Sequence, residues 1–189
     1  MTVSVISRKD AVSTTWSGGT TTEFYLFPRD GSYKERLFDL RISSATVDLE
    51  ASDFTLLPDY QRIITPLEGG FTLTYKETGE KVTLAPLEED FFDGAYHTHS
   101  IGKAIDFNVM YKKGMHAAYS VINASKKFGL ADFRFLYVPF IDAKDLTGST
   151  LNEHSLTRDT LYVSDDRSDA FVLALKKPVS LIYVSVRKA

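Results

Sequence analysis

The stretch Ala104-Ile105-Asp106-Phe107-Asn108-Val109-Met110-Tyr111 decides how this chain is read, because it is a strand pattern with an acid and an amide among apolar residues. Strand side chains alternate between faces, so Asp106, Asn108 and Met110 share one face while Phe107, Val109 and Tyr111 share the other. An ionised carboxylate taken out of water is costly unless it is paired and hydrogen-bonded. Asp106 therefore reaches solvent in a cavity, meets a cation from another part of the chain, or stands on an ordinary exposed strand face.

The same texture continues outward from this strand. Leu37 to Val47 reads as a long strand with Asp39, Arg41 and Ser43 on one face and Phe38, Leu40 and Ile42 on the other. Tyr60 to Thr65 is a short strand carrying Arg62. Leu67-Glu68-Gly69-Gly70 then turns into Phe71 to Tyr75, which a glycine-containing loop joins to Lys81 to Leu84 as a hairpin. Thr2 to Ser7 also alternates as a strand. In the second half, His116 to Ile122, Phe133 to Val138, Thr160 to Val163, Ala170 to Leu175 and Val179 to Val186 are strand candidates separated by turns rich in Gly, Asp, Ser and Pro. Helical periodicity never lasts beyond a turn or two. Many short strands with regular turn signals predict an all-β sandwich or closed barrel, architectures that protect sheet edges.

One segment departs from this pattern. Thr14-Thr15-Trp16-Ser17-Gly18-Gly19-Thr20-Thr21-Thr22-Glu23 holds the only tryptophan, a Gly-Gly hinge and five threonines. Glycines permit close approach of a backbone to a ligand or another segment, and threonine hydroxyls both donate and accept. A phosphate loop is excluded, since no lysine follows the glycines and a strand, Phe24-Tyr25-Leu26-Phe27, comes next.

Composition narrows the classes further. At 189 residues, 43% hydrophobic and 25% charged, the chain suffices for one compact unit or two small, intimately packed ones. The absence of cysteine excludes disulfides and thiolate metal sites. A net charge of −3 provides no global basic field for nucleic acid, and Lys112-Lys113 and Lys126-Lys127 read as solvated surface. With no signal-peptide pattern and no apolar run long enough to span a bilayer, the expected location is the cytoplasm, with no membrane partner.

Taken together, the sequence resembles the HutD/Ves family. The resemblance is carried by Trp16-Ser17-Gly18-Gly19-Thr20-Thr21-Thr22-Glu23, by Phe38-Asp39-Leu40-Arg41-Ile42-Ser43-Ser44-Ala45, by Tyr60-Gln61-Arg62 with Leu67-Glu68-Gly69-Gly70, and by Asp106-Phe107-Asn108-Val109-Met110. These pieces lie in the first 110 residues or so, and their order and spacing are more specific than any one alone. The resemblance implies a link to histidine utilisation and an all-β bicupin, meaning two cupin-type double-stranded β-barrels in one chain with few short helices. The expected division is 1–111 for the barrel carrying the motifs and 112–189 for a second, with strands exchanged between them. It also implies that Thr20, Thr21, Glu23, Arg41, Arg62, Asp106 and Asn108 line one cavity in the first barrel. The residues themselves agree with that grouping, because Arg41 and Arg62 are the cations within strand candidates able to neutralise Glu23 and Asp106. A guanidinium grips a carboxylate with two parallel hydrogen bonds.

The leading expectation is a non-catalytic module that binds a small polar or anionic metabolite, in a regulatory or accessory role, with no metal and no cofactor. Three alternatives stay open. One is a metal-dependent cupin enzyme through His97 and His99, although Gly102, Lys103 and Ala104 stand where a cupin glutamate is usual. Another is a metal-free enzyme in which Glu23 and Asp106 act as acid and base. The last is a protein-interaction module whose strand charges only tie the sheet together. Thirteen phenylalanines and ten tyrosines also leave a homodimer open, while most of them read more simply as core.

Overall fold

The computed structural model describes residues 3–167 and 170–188. Its chain forms two compact units, one of Ala11–Lys113 and one of Met1–Asp10 with Gly114–Ala189. The division expected from sequence, 1–111 and 112–189, therefore differs at the amino terminus. There Ser4–Ser7 pairs antiparallel with Thr160–Ser164 and so adds an edge strand to the second unit's larger sheet. Thr2, the first residue of the predicted strand, lies outside the described residues.

In the first unit, a six-stranded antiparallel sheet runs in the spatial order Val12–Trp16, Gly19–Phe27, Leu40–Val47, Ala104–Lys112, Tyr60–Gly69, Asp90–Asp93. A four-stranded sheet runs Ala51–Asp53, Thr98–Ile101, Phe71–Tyr75, Lys81–Leu84. The Asp106 strand is thus central, flanked on one side by the Arg41 strand and on the other by the Arg62 strand. Phe71, Leu73, Tyr75 and Leu84 of the smaller sheet meet Ile64, Phe92 and Ala104 of the larger in one buried cluster. Phe38, Leu57, Tyr60 and Met110 form another, in which the Phe38 and Tyr60 rings stack 4.3 Å apart and the Tyr60 hydroxyl donates to the Phe38 carbonyl at 2.7 Å.

The strands form pairs of open sheets, so the closed barrels expected from sequence are not formed. Sheets separated by interdigitating side chains stand about 10 Å apart, twice the spacing at which neighbouring strands hydrogen-bond. Two bulges shape the larger sheet. One at Leu67, beside Pro66, shifts the register against Ile105 and Asp106, and a bulge suits a proline, which cannot donate to the ladder. The other, at Phe24, sits between Glu23 and Tyr25.

The second unit is built likewise. A five-stranded sheet, ordered Ser4–Ser7, Thr160–Ser164, Phe133–Val138, Leu181–Arg187, His116–Ile122, faces a four-stranded sheet of short strands. Leu136, Val138, Tyr162 and Leu181 from the first meet Leu151 and Leu173 from the second in its core. Among the described residues the only α-helix is Ala143–Leu146, a single turn. Several strands predicted from alternation recur with the same ends, including Phe71–Tyr75, Lys81–Leu84, His116–Ile122 and Phe133–Val138.

The amino-terminal strand is pinned at its end. Arg8 Nε donates to Asp159 Oδ2 at 2.5 Å, and the buried Tyr137 hydroxyl donates to Asp159 Oδ1 at 2.6 Å. Arg8→Ala leaves the partly buried Asp159 carboxylate without its cation, and a loss of about 1–3 kcal/mol in chemical denaturation is expected. Unchanged stability would show that the strand pairing alone holds this end.

Candidate functional site

Alternation along the central strand puts Asp106, Asn108 and Met110 on the face turned away from Phe107 and Val109. Their neighbours on that face are Arg41, Ser43 and Ala45 on one side and Arg62 on the other. Met110 pairs with Arg41 on one flank and with Arg62 on the other. The two arginines therefore stand level, two strand spacings or about 10 Å apart at their backbones. They line one cavity of about 820 Å³, a size that accommodates a small metabolite. Thr21, Glu23, Asp106 and Asn108 line it with them.

Thr20 does not. It neighbours Thr21 on a strand and so points to the other face, where its hydroxyl lies 3.5 Å from that of Thr15. The expected set of seven therefore becomes six: Thr21, Glu23, Arg41, Arg62, Asp106 and Asn108. Alternation within Thr20-Thr21-Thr22-Glu23 already required this, since two consecutive strand residues do not share a face.

The two guanidinium groups differ sharply. Arg41 is satisfied: its Nε donates to Glu23 Oε2 at 2.7 Å, its Nη1 donates to Ser43 Oγ at 3.1 Å, and its guanidinium lies 4.0 Å from the centre of the Tyr33 ring. Arg62 is buried between aromatic faces, 4.8 Å from the Phe54 ring centre and 5.1 Å from that of Phe92. Among the described residues its Nε finds no hydrogen-bond partner, and neither does Asn108 Oδ1. Burial pulls Arg62 down to about 10. Aromatic rings stabilise a cation through their quadrupole without satisfying its N–H donors.

Asp106 is 4% exposed and accepts one hydrogen bond, from the Ala45 N–H to Oδ1 at 3.3 Å. Burial pushes its carboxyl up to about 7, against the opposing pull of Arg62. No ion pair joins it to Arg62 among the described residues, although both line the same hollow. Glu23 bonds to Arg41 and Asp106 to the Ala45 N–H, and no hydrogen bond joins the two acids among the described residues.

Several lining residues carried no sequence signal. Tyr33, Lys34 and Arg36 come from the loop between Gly19–Phe27 and Leu40–Val47, and Phe54 follows the short Ala51–Asp53 strand. Nothing but their aromatic or basic character within polar surroundings marked them. Trp16, 39% exposed, lines the mouth from the edge strand. The glycines beside it have structural work: a Cβ at Gly18 would fall 2.1 Å from the Trp16 ring, and one at Gly19, where φ is +151°, 1.9 Å from the Thr46 carbonyl oxygen.

The histidines lie elsewhere. His97 pairs through Nδ1 with Glu77 Oε1 at 2.5 Å, while His99 pairs through Nδ1 with Asp53 Oδ1 at 2.9 Å. His99 holds the Asp53 carboxyl below its usual range. Among the described residues, no three His, Cys, Asp or Glu side chains converge as metal ligands.

The open pair of sheets with a cavity on its inner face is a cupin-type fold, shared with known structures. Bacterial pirin YhhW from Escherichia coli, solved in complex with nickel(II), has a TM-score of 0.68 at 9% identity, covering 100% of both chains. Oxalate decarboxylase from Bacillus subtilis, with Mn(II) centres, has a TM-score of 0.60 at 8% identity, covering 97% of this chain and 76% of that one. The chain belongs to the HutD family, whose model matches residues 8–181. HutD from Pseudomonas fluorescens SBW25, described in a formate condition, has a TM-score of 0.81 at 22% identity with full coverage of both chains. A conserved protein of unknown function from Pseudomonas aeruginosa PAO1 has the same score, identity and coverage. No curated protein sequence matches the chain.

The metals of the more distant relatives do not suit this cavity. Its inner strands present two guanidinium groups and no histidine, and cationic donors repel a divalent ion. No helix among the described residues is long and apolar enough to cross a membrane.

Proposed function

We propose that this protein, built of two cupin-type units, is a non-catalytic module that binds a small carboxylate metabolite in the cavity of residues 11–113. In this reading it serves a regulatory or accessory role in histidine utilisation. The observation that carries the reading is Arg62, a buried guanidinium whose Nε has no partner in a cavity sized for a ligand. Burying an unpaired cation is costly, and a bound carboxylate removes that cost through charge-assisted hydrogen bonds. Arg41 already has Glu23, so it walls the site and holds Tyr33 in place, while Arg62 is the grip.

Acidic intermediates of histidine breakdown, N-formylglutamate and urocanate, are the ligands this family membership favours. A thermal-shift panel of carboxylate metabolites containing both tests the reading, since a ligand that binds only the folded state raises the melting temperature by mass action. A rise with at least one acid and none with its neutral amide is the expected result. A flat response across the panel would sink the proposal.

One observation favours a second reading. Asp106, with a carboxyl pushed to about 7 inside a cavity, suits a metal-free general acid or base. Chromatographic recovery of the bound acid unchanged after prolonged incubation separates the binding module from the enzyme.

A further inference from the structure

A carboxylate bound at Arg62 shares the cavity with the buried Asp106 carboxyl, and that proximity has an electrostatic consequence. Arg62 and Asp106 both line the hollow without bonding to each other, and Asp106 uses only Oδ1, towards Ala45. An anion held by Arg62 enters beside the Asp106 carboxylate. Two carboxylates at one buried site do not both stay ionised; they share a proton.

We infer that Asp106 is a ligand-positioning residue that binds in its protonated form, donating its O–H to the carboxylate that Arg62 holds, so that ligand capture takes up one proton. This rests on the carboxylate-binding reading above. The balance is simple: ionised Asp106, a ligand anion and one proton from solvent give the complex, with no bond broken in the ligand. The charge on the carboxylate at this position is matched by Arg62, and the proton removes the Asp106 charge that would repel it.

Asp106 is the most deeply buried acid of the cavity. Facing it across the cavity are Arg62 from the Tyr60–Gly69 strand, Arg41 from Leu40–Val47 and Glu23 from Gly19–Phe27. Tyr33, Lys34 and Arg36 face it from the adjoining loop, and Asp53 from Ala51–Asp53. Tyr75 of the facing sheet also acts on Arg62 electrostatically. Glu23 already holds Arg41 at 2.7 Å and Asp53 already holds His99 at 2.9 Å, so each of these acids has its own partner. Asp106, raised to about 7 by burial before any ligand arrives, is placed to exchange a proton within the window from about pH 6.5 to 8.5. Its value rises further in the complex. Below about pH 7 it is already protonated and affinity is flat. Above, each pH unit weakens binding about tenfold until the value in the complex is reached.

Calorimetry of the full chain with N-formylglutamate as probe tests this. Its carboxyl groups titrate far below the window, so any proton exchanged belongs to the protein. Titrations at pH 8 in buffers of different ionisation enthalpy are expected to show uptake approaching one proton per ligand, with affinity falling about tenfold between pH 7.5 and 8.5. Asp106→Asn, whose amide also donates, is expected to bind with no such fall and no uptake. Binding with affinity constant from pH 6 to 8.5 and no proton exchanged would overturn the inference while leaving the carboxylate site intact. Absence of binding at every pH would overturn both. Should the variant fail to fold, the buffer series on the native chain still decides.

Discussion

Arg62→Met removes the response to carboxylates while leaving the fold in place. Methionine keeps an unbranched side chain between Phe54 and Phe92 and deletes the charge and its unpaired donors. Removing one partner of a buried charge pair across an interface costs about 2–5 kcal/mol, roughly a thirtyfold to several-thousandfold loss of affinity. The unliganded protein should tolerate the change well, because a desolvated cation with no hydrogen-bond partner at Nε contributes little to stability. Stability without binding is thus the expected signature, read by calorimetric titration beside a denaturation curve. If the variant binds as the native chain does, Arg62 is not the grip and the cavity's cationic character is structural.

The second large effect concerns stability and pH. The Asp106 carboxyl is raised in the folded chain to about 7, by burial first, from an ordinary value of 3.8. A group raised on folding contributes stability that is complete below its unfolded value and is lost as pH rises through its folded value. Between pH 4 and 7 this contribution declines, and above 7 the buried charge is a full liability. The shift corresponds to a ceiling of about 4 kcal/mol. Asp106→Asn removes the charge and can still accept from the Ala45 N–H. The variant should therefore match the native chain near pH 4 and exceed it by a few kcal/mol at pH 8.5, as read from urea midpoints. A variant less stable than the native chain at pH 8.5 would mean that ionised Asp106 supports the fold.

These two residues also explain why such a liability would persist. An unpaired arginine and a buried acid that do not bond to each other are a poor way to tie strands together, since replacement by apolar residues is often neutral or better. The Arg41–Glu23 pair is the ordinary structural solution in the same cavity. One arginine is satisfied and the other is not, on strands flanking the same central strand, and in the proposed reading that difference separates the wall of the site from its recognition element.

Much of this arrangement was legible in the residues. Alternation within Asp106-Phe107-Asn108-Val109-Met110 fixed which side chains share a face, and the same rule put Arg41 with Ser43. Strand ends fell where Gly, Pro and Asp interrupt apolar alternation. The short edge strand Val12–Trp16 went unread because its side chains are all exposed and its threonines carry no burial pattern. Thr20 was misplaced where family resemblance was carried over in place of strand geometry.

By itself, then, the sequence determined an all-β chain, the face on which an acid and an amide stand together, and the pool of charges available to meet them. Only the tertiary structure decided which charge meets which. Arg41 reaches Glu23 across neighbouring strands whose register is set by a bulge at Phe24, and Tyr33 and Phe54 arrive from loops that no periodicity constrains. Alternation is a property of consecutive residues, whereas the pairing of long ionic side chains depends on strands distant in the chain and on a competition for partners. That competition leaves Arg62 with a donor to spare.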